Sequence, residues 1–309
     1  MGKIIVIGNS LVEVSISDQI SRLNDGVVAF APNQIHTVVS GIGLNVALSL
    51  QTLGNRPDFL TLIGQDQIGD LIYSFISKAG IPTELVTRSE EESGISIISY
   101  HAGKDPGMLL DLKKAHDDRS LSQLPPVNYS DYKFAICCFI GFSKPYLDGF
   151  SSAGIPIAAD VQVLSDVNDP EKQAYLVNAE ILFLSNQAIR GKELAFIKEL
   201  QKRYDNQIIG VGMGEEGSLL ALRSTGDIWH IPAVFTRPVV NTIGCGDALF
   251  SSFLHGFLKS GNPLQAMERA AVYASYKAGS NGASAGFLTE AELDDWTKCT
   301  PINIKRITF

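Results

Sequence analysis

The chain has little cysteine and histidine and no excess of positive charge: four cysteines and five histidines in 309 residues, with a formal net charge of −8. No C-x-x-C pair is present, and the adjacent Cys137 and Cys138 lie in the apolar run KFAICCFI. Buried, reduced thiols are therefore expected for these and for Cys245 and Cys299, rather than a disulfide framework or a metal site. His36, His101, His116, His230 and His255 lack ligand spacing, so no protein-built zinc centre is expected. The acidic balance offers no basic footprint, which argues against nucleic acid as a partner. No apolar run is long enough to span a bilayer, so no membrane partner is expected. MGKIIVIGNS enters a strand-like segment without a secretory cleavage pattern, which makes the cytoplasm the expected location. The P-loop G-x-x-x-x-G-K-[ST] and the protein-kinase motif set are also missing.

What is present is an ordinary folding composition, 45% hydrophobic and 19% charged, long enough to bury a large core in one main domain. KIIVIG (3–8), DFLTLIG (58–64), KFAICCFI (133–140), IPIAAD (155–160), EILFLS (180–185) and QIIGVG (207–212) are short continuous apolar runs. Such runs suit strands covered on both faces. Helical patterns separate several of them: GLNVALSLQTLG closes on Gly54, GDLIYSFISKAG on Gly80, and GKELAFIKELQKRYD follows the fifth run. Strand–helix alternation predicts an α/β fold with a mostly parallel sheet wrapped on both faces. GSLLALR and DIWHIP read as a hairpin-like pair, and helices dominate after residue 244. GISIISYHAG (94–103), LVEVSIS and HTVVS alternate like half-solvated strands and predict a small sheet over one end; the alternative is an antiparallel edge to the main sheet. GMGEEG (212–217) matches G-x-G-x-x-G but is followed by a strand and carries two glutamates, so it reads as a tight turn rather than a dinucleotide site.

NTIGCGDALFSSF (241–253) places a carboxylate, Asp247, behind two glycines where a helix begins. A helix start leaves N–H groups unpaired and is positive, so Gly244 and Gly246 would let an anion approach the backbone. Acidic residues are also simply favoured in a first helical turn. Thr242 adds a hydroxyl beside the cradle. A carboxylate at the mouth of an anion hole suits proton abstraction from a hydroxyl while N–H groups stabilise a transferring phosphoryl group.

These motifs resemble the ribokinase-like (PfkB) carbohydrate kinase family over nearly the whole chain. NTIGCGD (241–247) is similar to its D-T-x-G-A-G-D signature, SGIGLNVA (40–47) to its glycine pair and helix-opening asparagine, FLTLIGQDQIG (59–69) to V-G-x-D-x-x-G, and GEEGSLL (214–220) to its G-x-x-G strand pair. The resemblance implies a ribokinase-like three-layer sandwich, a single domain over 1–309, and a small β lid from segments within 9–40 and 94–115. It implies ATP and Mg2+ and leaves room for a monovalent cation. By the resemblance Asp247 is the general base, and Gly244, Cys245 and Gly246 form the anion hole. Glu13, Gly41 and Asn45 bind substrate, and Asn186, Gly214, Gly217, Thr242 and Asn281 bind nucleotide. Asp160 faces the phosphate region and touches a metal only indirectly.

Plain alternatives stand beside these roles: an N-cap for Asn45, a strand-end cap for Asp160, and an exposed acid for Glu13. The departures are Glu13 for an aspartate placed at the end of the first strand, Asn241 for the signature's first aspartate, Ser40 for a glycine, and Ile189 where N-x-x-E calls for glutamate. The implied function is an ATP-dependent kinase acting on a hydroxyl of a sugar or sugar-like molecule. A nucleoside kinase, with Phe30, Ile35, Ile97 and Tyr100 as a base shelf, and a non-catalytic ligand binder remain open. Edge strands such as GISIISYHAG point to a homodimer through the lid.

Overall fold

A computed structural model of the chain describes residues 2–16, 28, 30–89, 92–100, 106–113 and 124–307. The parts of the expected lid at 17–27, 29, 101–105 and 114–115 lie outside the described residues. The six apolar runs form β1 (Ile4–Ile7), β4 (Asp58–Gly64), β8 (Phe134–Cys138), β9 (Ile157–Val163), β10 (Ile181–Ser185) and β11 (Ile208–Gly212). With β5 (Val86–Ser89), β12 (Ser218–Leu222), β13 (Asp227–Ile231) and β14 (Lys305–Ile307) they build a ten-stranded sheet in the order β14-β13-β12-β11-β10-β9-β8-β1-β4-β5. Pairings from β5 to β11 are parallel, and those from β11 to β14 antiparallel. GMGEEG is thus a turn between antiparallel β11 and β12.

The continuous apolar runs are explained by cover on both faces. Ile5, Ile7 and Cys137 point to one side with residues of α3 (Lys144–Ser152), α4 (Gln173–Asn178) and α5 (Glu193–Arg203). Ile4, Val6 and Cys138 point to the other with α1 (Ile42–Thr52), α2 (Gln67–Lys78), α6 (Cys245–Ser260) and α7 (Pro263–Lys277). Adjacent strand residues face opposite ways, so the Cys137–Cys138 pair is split between the two cores. A shorter helix, α8 (Glu290–Cys299), starts at a capping box on Thr289. Phe250 and Phe253 of α6 are fully buried against Phe183, each worth about 1.5–3 kcal/mol of burial. That packing fixes the start of α6.

The alternating segments form a separate sheet, not an edge of the large one: β2 (Leu11–Ile16), β3 (Ile35–Ser40), β6 (Gly94–Ser99) and β7 (Gly107–Asp111), ordered β3-β2-β6-β7. Two expectations need correction here. GISIISYHAG is not an edge strand: β6 lies between β2 and β7, and the edges are β3 and β7. Glu13 is not at the end of the first strand; it lies inside β2, opposite Val38 and Ser96. The thiols also differ from expectation, since Cys245 is half-buried and Cys299 exposed, although all four are free. No helix among the described residues is long and apolar enough to cross a membrane.

Candidate active site

The carboxyl ends of β1, β8, β9, β10 and β11 form one edge of the parallel sheet, where ligands bind in open α/β folds. Helix α1 begins at this edge because Gly43 lies directly on Gly8, just past β1. A Cβ on Gly43 would come within 2.4 Å of the Gly8 carbonyl carbon, so only glycine allows the approach. Helix α6 begins at the same edge. Asn45 Nδ2 donates to Asp247 Oδ2 at 2.7 Å, Ser251 Oγ donates to Ser49 Oγ at 2.7 Å, and His255 Nδ1 meets Asn55 Oδ1 at 2.6 Å. The partner numbers rise together along α6 and along α1 with the turn that follows it, so α1 and α6 run parallel and present both N-termini to the site. Two positive helix ends therefore converge there.

Gly244 is the N-cap of α6, with φ of 78°, packed against the Ala283 carbonyl. The Cys245 N–H donates to Thr242 O at 3.2 Å and the Ala248 N–H to Gly244 O at 2.9 Å. That leaves the first-turn N–H groups of Gly246 and Asp247 without backbone partners. A Cβ on Gly246 would project into open space, so no packing demand explains this glycine. Thr242 is exposed beside it and Cys245 half-buried.

Asp247 is buried, and its carboxyl is pushed up to about 6, chiefly by desolvation. Asn45 and Lys277 oppose the rise, and Glu13 adds to it. Asp160, in β9, is buried too and pushed up to about 7, by desolvation and then by the charge of Asp247. The charge of Asp247 thus adds to the rise at Asp160, while Asp247 itself is raised chiefly by burial. Asp160 Oδ1 accepts the Gln162 N–H at 2.8 Å, so it is anchored in the strand. A group with a folded pKa near 7 and an ordinary value of 3.8 destabilises the ionised fold above pH 7 and not below pH 4. Asp160→Asn is expected to raise unfolding stability by about 1–3 kcal/mol at pH 8. The gain should vanish at pH 4; urea unfolding at both values is the check.

Asn186, just past β10, is buried. Its N–H donates to Gly212 O at 2.9 Å and its Nδ2 to Glu193 Oε1 at 2.9 Å. Ile189 is a buried core residue. The carboxylate beside Asn186 is Glu193, in the first turn of α5, seven residues on rather than three. Burial raises its pKa, but the Asn186 amide and backbone N–H groups more than offset this and leave it below the usual value. Among the described residues no group of three His, Cys, Asp or Glu side chains is placed to hold a metal. Magnesium keeps its waters and leans on phosphates and one or two carboxylates; the carboxylates available on β9 and in the first turn of α5 are Asp160 and Glu193.

Glu13 is buried, with Oε1 lacking a partner. Desolvation raises its pKa, and Ser40, the Ala283 backbone and Lys277 oppose this. Tyr100 OH and Asn241 Nδ2 are likewise buried without hydrogen bonds. Burial pushes the Tyr100 hydroxyl up to about 12, and the charge of Glu13 adds to this; the nearby Asn241 amide lowers it, although no hydrogen bond closes between them. Ser96 pairs with Glu13 and shares its face of the small sheet, as does Tyr100 four residues on, whereas Ile97 and Ile35 are on the opposite face. Phe30 is 93% exposed. Of the four shelf candidates only Tyr100 belongs beside Glu13. Gly41 is the N-cap of α1 and its carbonyl accepts the Asn45 N–H at 2.8 Å.

Gly214 is exposed in the turn after β11, whereas Gly217 packs where a Cβ would lie 2.2 Å from the Ile231 carbonyl oxygen. Asn281 is exposed, next to Gly282, which packs on Val38 of β3. Sequence reading missed Glu193 and Lys277. The acid in the first turn after EILFLSN was the available signal for Glu193, and the lysine closing α7 for Lys277.

Acarbose 7(IV)-phosphotransferase of Actinoplanes sp. is 26% identical over 81% of this chain and 84% of its own length. Deoxyribokinase of Salmonella typhi is 24% identical over 95% of this chain and 98% of its own. The solved structure of a microbiome-derived acarbose kinase superposes with a TM-score of 0.80 at 23% identity, covering 96% of this chain and 99% of that one; this likeness establishes the ribokinase-like fold. The family model for pfkB family carbohydrate kinases matches residues 1–129 and 164–290, and the chain belongs to that family.

Proposed function

We propose that this kinase transfers the γ-phosphoryl group of ATP to a hydroxyl of a sugar or sugar-like molecule, with Asp247 as general base. The observation that carries the reading is the Asn45-held Asp247 at the start of α6, beside the unpaired N–H groups of Gly246 and Asp247. Asn45, in this reading, aims the carboxylate rather than binding substrate directly. Asp247 takes the hydroxyl proton as the oxygen attacks in line, and the first-turn N–H groups face the charge that develops on the transferring group. Mg2+, when bound, neutralises phosphate charge; Asp160 and Glu193 would hold it through its waters. In this reading Gly214, Thr242, Asn281 and Asn186 would contact the nucleotide.

Three buried, unpaired polar atoms, Glu13 Oε1, Tyr100 OH and Asn241 Nδ2, provide an acceptor, a two-way group and a donor. Such a set matches a ligand rich in hydroxyls, since each buried polar atom gains by pairing. The β3-β2-β6-β7 sheet acts as the lid and excludes water. Exposed Met108, Leu109 and Leu110 on its edge strand β7 support a homodimer paired through the lid, and ATP use together with four free thiols supports a cytoplasmic site of action. ADP release with ATP and Mg2+ over pentoses, hexoses, aminated or oligomeric sugars and nucleosides tests the reading. A polyhydroxylated acceptor is expected to stimulate it, whereas stimulation by nucleosides alone would overturn the acceptor assignment.

A further inference from the structure

Lys277, the last residue of α7, is fully buried. Its ammonium donates to the Ile243 carbonyl, inside the turn that opens α6. The same turn is tied to the end of α7 a second time, because the N–H groups of Val240 and Asn241 both donate to Ala278 O, at 2.8 and 2.9 Å. An ammonium out of water needs hydrogen bonds and opposite charge around it. The titratable groups facing it are Cys245 and Asp247 of α6, Glu13 of β2 and, as a like charge, Arg237. The lysine thus stands among the two carboxylates of the acceptor side and the loop that builds the anion cradle.

A monovalent cation acting on this turn would need its oxygens. A free cation on the Ile243 carbonyl would stand against the Lys277 ammonium that already donates to it, and Asn241 Oδ1 is turned to the Ile243 N–H at 2.7 Å. What remains of the Asn241 side chain is a buried, unpaired Nδ2 donor, which repels a cation. The residues present do not fit a free monovalent ion at this turn.

We propose that Lys277 is a positioning residue that supplies this charge from within the chain. Its ammonium clamps the Ile243 carbonyl, fixes the turn that aims the Gly246 and Asp247 N–H groups, and makes turnover independent of added K+ or Na+. The proposal rests on the kinase reading above.

The test compares turnover in tetramethylammonium chloride with turnover in KCl, NaCl and NH4Cl, for the parent, Lys277→Met and Lys277→Ala. The parent is expected to change by less than about 2-fold across the salts. Lys277→Met, apolar but of similar length, is expected to lose about 10- to 100-fold in kcat. The acidic limb of its pH–rate profile should move to higher pH, because the cation facing Asp247 is gone; a merely structural role would not move that limb. In Lys277→Ala, which leaves room for a small cation, NH4Cl or methylammonium should restore activity.

Activation of the parent by K+ of about 5-fold or more, or a parental kcat and pH limb in Lys277→Met, would overturn the proposal. If the variants do not fold, the parent salt series still decides. If the parent turns over no acceptor, it is the kinase reading that fails. Calorimetric ATP binding then decides the inference: equal affinity in KCl and tetramethylammonium chloride supports it, and K+-dependent affinity overturns it.

Discussion

Asp247→Asn is expected to lower kcat by about 10²–10⁴-fold while ATP affinity stays within a few-fold. The amide keeps the shape of the side chain and can still accept from Asn45, so the geometry at the start of α6 survives and only the base is lost. The parent carries a second signature. In the proposed role Asp247 works ionised, and burial holds its pKa up to about 6, so log kcat/KM is expected to fall with a slope near one per pH unit below that value. The variant's residual rate should lack this limb. Steady-state ADP release from pH 5 to 8.5, with ATP binding measured by calorimetry, checks both. A variant that keeps parental turnover would remove Asp247 from the chemistry.

Gly246→Pro should cost about 10²–10³-fold in kcat, because in the proposed mechanism it deletes one donor facing the developing charge. The substitution is unusually clean on the folding side. Gly246 is the second residue of α6, a position where the N–H has no intrahelical acceptor, and Pro145 already occupies the second position of α3. The loss should appear in kcat more than in thermal stability, read by melting alongside kinetics. Gly246→Ala separates the donor from the space: it keeps the N–H and places a methyl in open volume. It should therefore weaken ATP binding while retaining more turnover than the proline variant. Equal activity for parent and proline variant would show that this N–H does not face the transferring group.

Much of this was legible because the relevant signals are local. The apolar runs became parallel strands since both faces are covered, and the switch to alternation in LVEVSI and GISIIS marked the second sheet. Asp247 and the glycines around it were readable because a helix start is encoded in a few consecutive residues. What was not readable is pairing at a distance. Asn45 meets Asp247 across 202 positions, and an asparagine near a helix start looks the same whether it caps or reaches a neighbouring helix. Lys277 closes a helix, where lysine is common for dipole reasons alone, and nothing local announces that its ammonium is buried. The face assignment of Ile97 required the register with β2, and β6 looked like an edge because its alternation is the same whether or not a further strand, here β7, lies beside it.

The separation of the two sheets has a consequence for descent. Phosphoryl transfer, in the reading above, belongs to the junction of α1 and α6 against the large sheet, while Glu13 and Tyr100 are carried by the small sheet and the residue that follows β6. Drift in β2, β3, β6 and β7 would, in that reading, alter which acceptor is held and would reach the base only through charge, as the contribution of Glu13 to Asp247 does. A lineage built this way would diversify its substrates mainly by exchanging one small layer.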